Sequence, residues 1–241
     1  MRTFAIFPLA AFLALIPGAA SGQAGSFEVA QLGHPVGTAS FNFSATPDGY
    51  DSTSLVRVSM QGLDYALSKT ERLSADNQLK DVQLSAIVND SAVNVTAAPD
   101  AGQVLLKVSA NGHSSTARLD AHPGAVFLPD FDPGALETLL ALGVSRNSRD
   151  LWAILPKQSG TAPGSVVPVE LATYADEQGT LDGNPIEVHH LVATIAGAKT
   201  DLYSGPENQL LQAEPPQQGF VLVRKGFVLA HSAKPRVTPA S

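Results

Sequence analysis

Asp130–Ser145, DFDPGALETLLALGVS, is the one stretch of this chain whose apolar spacing is convincingly helical. Leu136, Leu139 and Leu140 fall at i, i+3 and i+4, so they share one helix face. Asp132 supplies a cap, Pro133 suits the first helical position and Gly143 suits the stop, which predicts a helix over 133–143. Asp130 and Asp132 flank Phe131 and could be read as a metal-binding pair. Capping accounts for Asp132 without any metal.

Outward from that helix the rhythm changes to period two. Phe27 and Val29, Ala39, Phe41 and Phe43, Val56 and Val58, Val93 and Val95, and Val104, Leu106 and Val108 all alternate with polar residues, as half-buried strands do. Turn residues separate the runs at Thr46-Pro47-Asp48-Gly49, Ala75-Asp76-Asn77, Pro99-Asp100-Ala101-Gly102 and Asn111-Gly112. Leu151–Pro156 reads as a strand after the helix, and a second meander runs from Val166 to about His231. About a dozen strands or more therefore accompany one helix of about three turns. A lone flat sheet cannot hide its apolar face, so it must curl on itself, pack as two sheets or wrap the helix. The expected fold is all-β, a long antiparallel meander forming a curved sheet, half-barrel or clam with one inserted helix. No fixed-period repeat or linker divides the chain, so residues 25–231 are read as a single β-rich domain.

The ends suggest a compartment. Met1-Arg2 is followed by an apolar run from Thr3 to Ile16, a break at Pro17-Gly18, and small residues at Ala19-x-Ser21 and Gly22-x-Ala24, the layout of a secretory signal peptide over 1–24. The run is broken by Pro8 and is shorter than a membrane span needs. Export to the periplasm or beyond the cell follows, with no spanning segment after cleavage. The tail 232–241, SAKPRVTPAS, is expected to be disordered. Cysteine is absent, which removes a disulfide framework, a thiol nucleophile and a lipoprotein anchor together. A formal net charge of −7 argues against a nucleic-acid partner.

Candidate chemistry is sparse. His189 and His190 stand side by side in NPIEVHHLVATIAG, Asn184–Gly197, but neighbouring strand residues point to opposite faces and cannot share a metal without a bulge. One exposed and one hydrogen-bonded imidazole is the expectation, with no metal site. G-x-S-x-G is absent, no S-x-x-K carries its companion motifs, and no Gly-rich phosphate loop opens a helix. No catalytic residue and no cofactor is therefore assigned. The remaining signal is aromatic. Phe127 and Phe131 precede the helix and Trp152 follows it, so the three are placed at the mouth of a cavity that the helix covers, with Tyr203 as a fourth ligand-binding candidate.

Two stretches carry a family resemblance. FEVAQLGHPVGTASFNF, Phe27–Phe43, resembles the opening strand pair of exported bacterial domains of unknown function, and DLYSGPENQLLQAEPPQQGFVLVRKGF, Asp201–Phe227, resembles their closing meander. The helix between the halves, with an aromatic segment after it, fits the same pattern. The resemblance implies a curved sheet or half-barrel in the periplasm, reminiscent of lipoprotein carriers. Glu207-Asn208-Gln209 departs from the family's frequent Asp-x-x-Gly-Arg turn, which removes support for any function tied to that turn.

The leading expectation is a non-enzymatic exported protein that binds a lipid, another apolar or amphiphilic ligand, or an envelope component in its concave face. An envelope assembly protein, contacting a partner through sheet edges and the Lys157–Ser165 loop, is the alternative. A hydrolase of envelope polysaccharide or esters comes third.

Overall fold

The computed structural model describes residues 23–145, 150–156, 163–215 and 219–230. Residues 1–22 of the expected leader, the tail 232–241 and residues 157–162 of the Lys157–Ser165 loop lie outside them, whereas Gln23 and Ala24, the last two residues of that leader, lie within.

Alternation builds the first half of the molecule. Strands β1 (Ala24–Gln31), β2 (His34–Thr46), β3 (Gly49–Met60), β4 (Leu63–Ser74), β5 (Leu79–Val88), β6 (Ser91–Asp100), β7 (Gln103–Ala110) and β8 (His113–Asp120) are successive antiparallel neighbours. Every second residue of the central strands is buried: Val56 and Val58, Tyr65 and Leu67, Val82, Leu84 and Ala86, Val93, Val95 and Ala97. Four of the seven turns close tightly because both central residues take left-handed backbone angles, as at Asn111-Gly112 (φ 51° and 75°), matching the right-handed twist of the strands they join.

The second half abandons simple succession. After β9 (Ala125–Phe127), α1 (Pro133–Ser145) and β10 (Leu151–Pro156), the chain forms β11 (Gly164–Thr173), β12 (Glu177–Leu181), β13 (Asn184–Ile195), β14 (Ala198–Ser204), β15 (Leu210–Glu214), β16 (Phe220–Arg224) and β17 (Phe227–Leu229). β10 lies parallel to β9, with Trp152 opposite Ala125. A parallel neighbour requires a crossover, and α1 provides it. From β10 the ladder continues antiparallel through β11, β13, β14, β15 and β16, and β16 pairs with β1. One long curved sheet therefore runs from β8 to β9 without closing into a barrel. β12 leaves it, pairing with residues 184–188 of β13 on one side and β17 on the other. That small second sheet covers a minor core of Val188, Tyr203, Leu211 and Phe227.

The helix fills the curve. Every residue from Asp132 to Leu140 is buried, and among the described helix positions only Ala141 and Val144 face water. A helix apolar on all sides belongs inside a core rather than on a surface. Its start is as expected: Asp132 Oδ1 accepts hydrogen bonds from the backbone N–H of Gly134 (2.9 Å) and Ala135 (3.3 Å). Its end differs. The helix continues to Ser145, and Gly143 is a buried interior residue rather than a stop. A side chain there would meet Leu171 Cδ2 at 2.6 Å, so this glycine serves close packing against β11. All-β with a single inserted helix is the architecture; the concave side is occupied by that helix.

Candidate functional site

Where the chain turns from β9 into α1, a cleft of about 280 Å³ opens on the concave side. Leu128, Phe131, Leu136, Leu155, Ile195 and Leu222 give it apolar walls, while Asp130, Asp132 and Thr200 add polar atoms. Phe131 sits at φ 57°, a left-handed conformation that bulky residues avoid at a cost of about 1–3 kcal/mol. Aromatic packing offsets that cost: its ring meets Phe220 edge-on at 4.8 Å and Tyr65 at 5.9 Å. The Tyr65 hydroxyl donates to the Asp130 carbonyl at 3.3 Å, pinning the same turn from β4. Asp130 itself stands exposed at the rim, yet apolar groups crowd its carboxyl and push it above the usual carboxylate range.

Behind this turn lies a sealed charge cluster. Ser54 faces Lys69 and Ser52 faces Glu71 across the β3–β4 pair, all on the inner face. Lys69 Nζ is 2.8 Å from Glu71 Oε2 and 2.6 Å from Asp132 Oδ2, and the lysine side chain has no exposure. Burial opposes the ammonium charge, but Asp132 and Glu71 together outweigh it and hold Lys69 above its ordinary value. Burial also pushes Glu71 up, with Lys69 pulling partly back. Ser54 stands opposite Lys69 in the ladder without a hydrogen bond to it, and a lysine held charged by two carboxylates is not poised to take its proton. Ser52 Oγ, Ser54 Oγ and Glu71 Oε1 are buried without a hydrogen-bond partner.

Farther along α1, Glu137 accepts a hydrogen bond from the Leu210 N–H at 2.7 Å and another from the Gln23 side-chain amide. Burial pushes its carboxyl up to about 7, against the pull of that N–H and of Arg224. Arg224 donates to the carbonyls of Leu210 (2.8 Å) and Ala24 (3.1 Å), and its guanidinium lies 5.4 Å from the Phe27 ring centre. One helix, the first strand and the closing strands are thus tied at a single point.

The paired histidines diverge, as strand geometry requires: the His189 side chain is 36% exposed and the His190 side chain 16%, and each imidazole has a carboxylate partner. His189 Nδ1 lies 3.0 Å from Asp176, and Glu187 shares its strand face. On the opposite side His190 Nε2 lies 2.8 Å from Asp201 and its Nδ1 3.6 Å from Glu177. The His190 ring stacks on Tyr203 at 4.6 Å, with Tyr174 at 5.2 Å. The acids come from β12, β14 and the turn before β12.

The four predicted ligand-binding aromatics do not meet. Phe131 lines the cleft, whereas Phe127 is fully buried among core residues. Trp152 stacks on His122 at 3.6 Å, beside a separate hollow of about 300 Å³ lined by His122, Leu79, Val104 and Ile154. Tyr203 belongs to the minor core beneath His190. Sequence reasoning misses Lys69 and reads Glu71 as an acid on a solvated strand face, although the alternation Tyr65, Leu67, Lys69, Glu71, Leu73 already puts both on the inner face of β4, where Glu71 is buried. No family model, no curated protein and no solved structure matches this chain.

Proposed function

We propose that this chain is a non-enzymatic exported binding protein that holds a small apolar or amphiphilic guest in the cleft beside Phe131, its polar end at Asp130. The observation that carries the reading is the strained Phe131 turn, held open over apolar walls by packing from Tyr65 and Phe220. Strain at a bulky residue persists where the surroundings over-determine it, and such sites cluster at ligand clamps. Because α1 fills the rest of the concavity, the guest is smaller than a lipid with two long chains. Export rests on the leader-like sequence at the start of the chain.

The hydrolase reading is weaker on this geometry. Of the three carboxyls with raised affinity for protons, Asp130 alone lines the cleft; Glu71 and Glu137 are only 2% and 3% exposed and do not, so no pair of such acids faces it. An assembly role finds its support in β8, an eight-residue strand paired on one side only among the described residues, whose outer backbone edge could accept a partner strand.

Native mass spectrometry of protein purified from its own cells, before and after organic extraction, tests the proposal. A removable adduct that is absent from an Ile195→Trp variant, whose indole fills the cleft, is the expected result. A clean apo mass, with no saturable binding of 1-anilinonaphthalene-8-sulfonate to the wild-type chain, would contradict it. Recovery of a bound protein with an empty cleft would move the assignment to assembly at β8.

A further inference from the structure

We propose that Asp176, Glu187 and His189 form a binding site for one divalent transition-metal ion of the zinc class. Their ligand atoms all lie within 4.8 Å of one another. Ions of this class bind nitrogen and oxygen at about 2.0–2.2 Å, so side-chain atoms around one ion sit about 3–4 Å apart. The 3.0 Å between His189 Nδ1 and Asp176 Oδ1 is already at that spacing.

The backbone presents two of the three groups as a rigid pair. Glu187 and His189 are two residues apart on β13, hence on the same face, and β13 is held there by β12 on one side and β14 on the other. Asp176 arrives from the residues just before β12, and its side chain is half exposed, so an ion can enter without opening the fold. An imidazole with two carboxylates suits zinc, cobalt, nickel or manganese, whereas calcium and magnesium seek shells made wholly of oxygen. Three protein ligands leave a further position for water.

Asp176, Glu177, Glu187, Asp201 and Glu214 gather around this part of β12–β15, and none of the five is ion-paired with a lysine or arginine among the described residues. Glu177, Asp201 and Glu214 lie on the opposite face with His190, where burial and then these three acids hold the Tyr203 phenol up. On the face of the proposed site, Asp176 and Glu187 stand beside a single imidazole, His189, and a dication would balance their two charges.

Calorimetric titration of the untagged chain with zinc at pH 7.5 is the test. Saturable binding of one ion per chain is expected, weakened at least tenfold in His189→Ala and in Glu187→Gln and unchanged in His113→Ala, with far-UV circular dichroism confirming that each variant is folded. Absence of one-to-one binding, or binding that survives both substitutions in folded protein, overturns the site. Calcium binding as tightly as zinc overturns the assignment to the zinc class.

Discussion

Lys69 brings one positive charge to two carboxylates, Glu71 and Asp132, with all three side chains out of water. Two full negative charges cannot be balanced there by one ammonium, and burial settles the surplus by favouring the protonated form of Glu71. Lys69→Met should therefore cost about 3–5 kcal/mol in urea unfolding, because it strands Asp132 as a buried, uncompensated charge. Glu71→Gln keeps the oxygen that Lys69 contacts and should cost less than about 1 kcal/mol. Glu137 makes a second prediction, with a definite sign. Its carboxyl moves from an ordinary value of 4.5 in the unfolded chain to about 7 in the fold, so the native state holds that proton more tightly. The associated stabilisation is complete below pH 4.5 and is lost as the pH rises to 7, a change of about 3 kcal/mol by linkage. Glu137→Gln should flatten this part of the stability profile, measured as urea midpoints between pH 4 and 8. A wild-type profile that rises over the same window would refute the assignment.

At the scale of elements, β1 bears more than its position at one end of the chain suggests. It joins β2 to β16, and the residues at its start hold the helix and the closing strands together: Gln23 reaches Glu137, its carbonyl receives the Phe43 N–H at 2.7 Å, and the Ala24 carbonyl receives Arg224. A chain beginning at Gly25 should be less stable than one beginning at Gly22 by about 2–3 kcal/mol, about 1 kcal/mol for each hydrogen bond lost. Equal unfolding midpoints for the two would show that this knot does not matter. Period-two spacing made β1 to β8 legible in the sequence, since each strand pairs with its neighbour and the pattern is local. Asp132 and Pro133 likewise marked the start of α1. The seam between β1 and β16 was not legible, because nothing in Phe27 announces that Arg224 will lie opposite. Nor was the departure of β12 to a second sheet, which turned Tyr203 from a candidate for the main cavity into part of a separate core. Of the candidate site, Phe131 was readable from its place before the helix; the cleft around it was not, since Leu222 and Ile195 arrive by tertiary packing alone.

On the scale of the whole molecule, one helix solves the packing problem posed by a long sheet. The sheet curves, α1 occupies the inside, and the parallel step from β9 to β10 is the crossover that puts it there. Leu139, Leu140 and Leu142 are essentially free of solvent, each contributing about 1.5–3 kcal/mol of burial, so the sheet and helix should unfold together. A cleft remains at the helix N-terminal end, with Phe131 in its lining. Among the described residues no helix is long and apolar enough to cross a membrane. Native-state hydrogen exchange, resolved by residue, tests this architecture most directly. The amides of Leu136 to Leu142 should exchange as slowly as those of the central strands β3 to β5, at the rate of global unfolding. Exchange of the helix ahead of those strands, through a local opening, would contradict a sheet wrapped around α1.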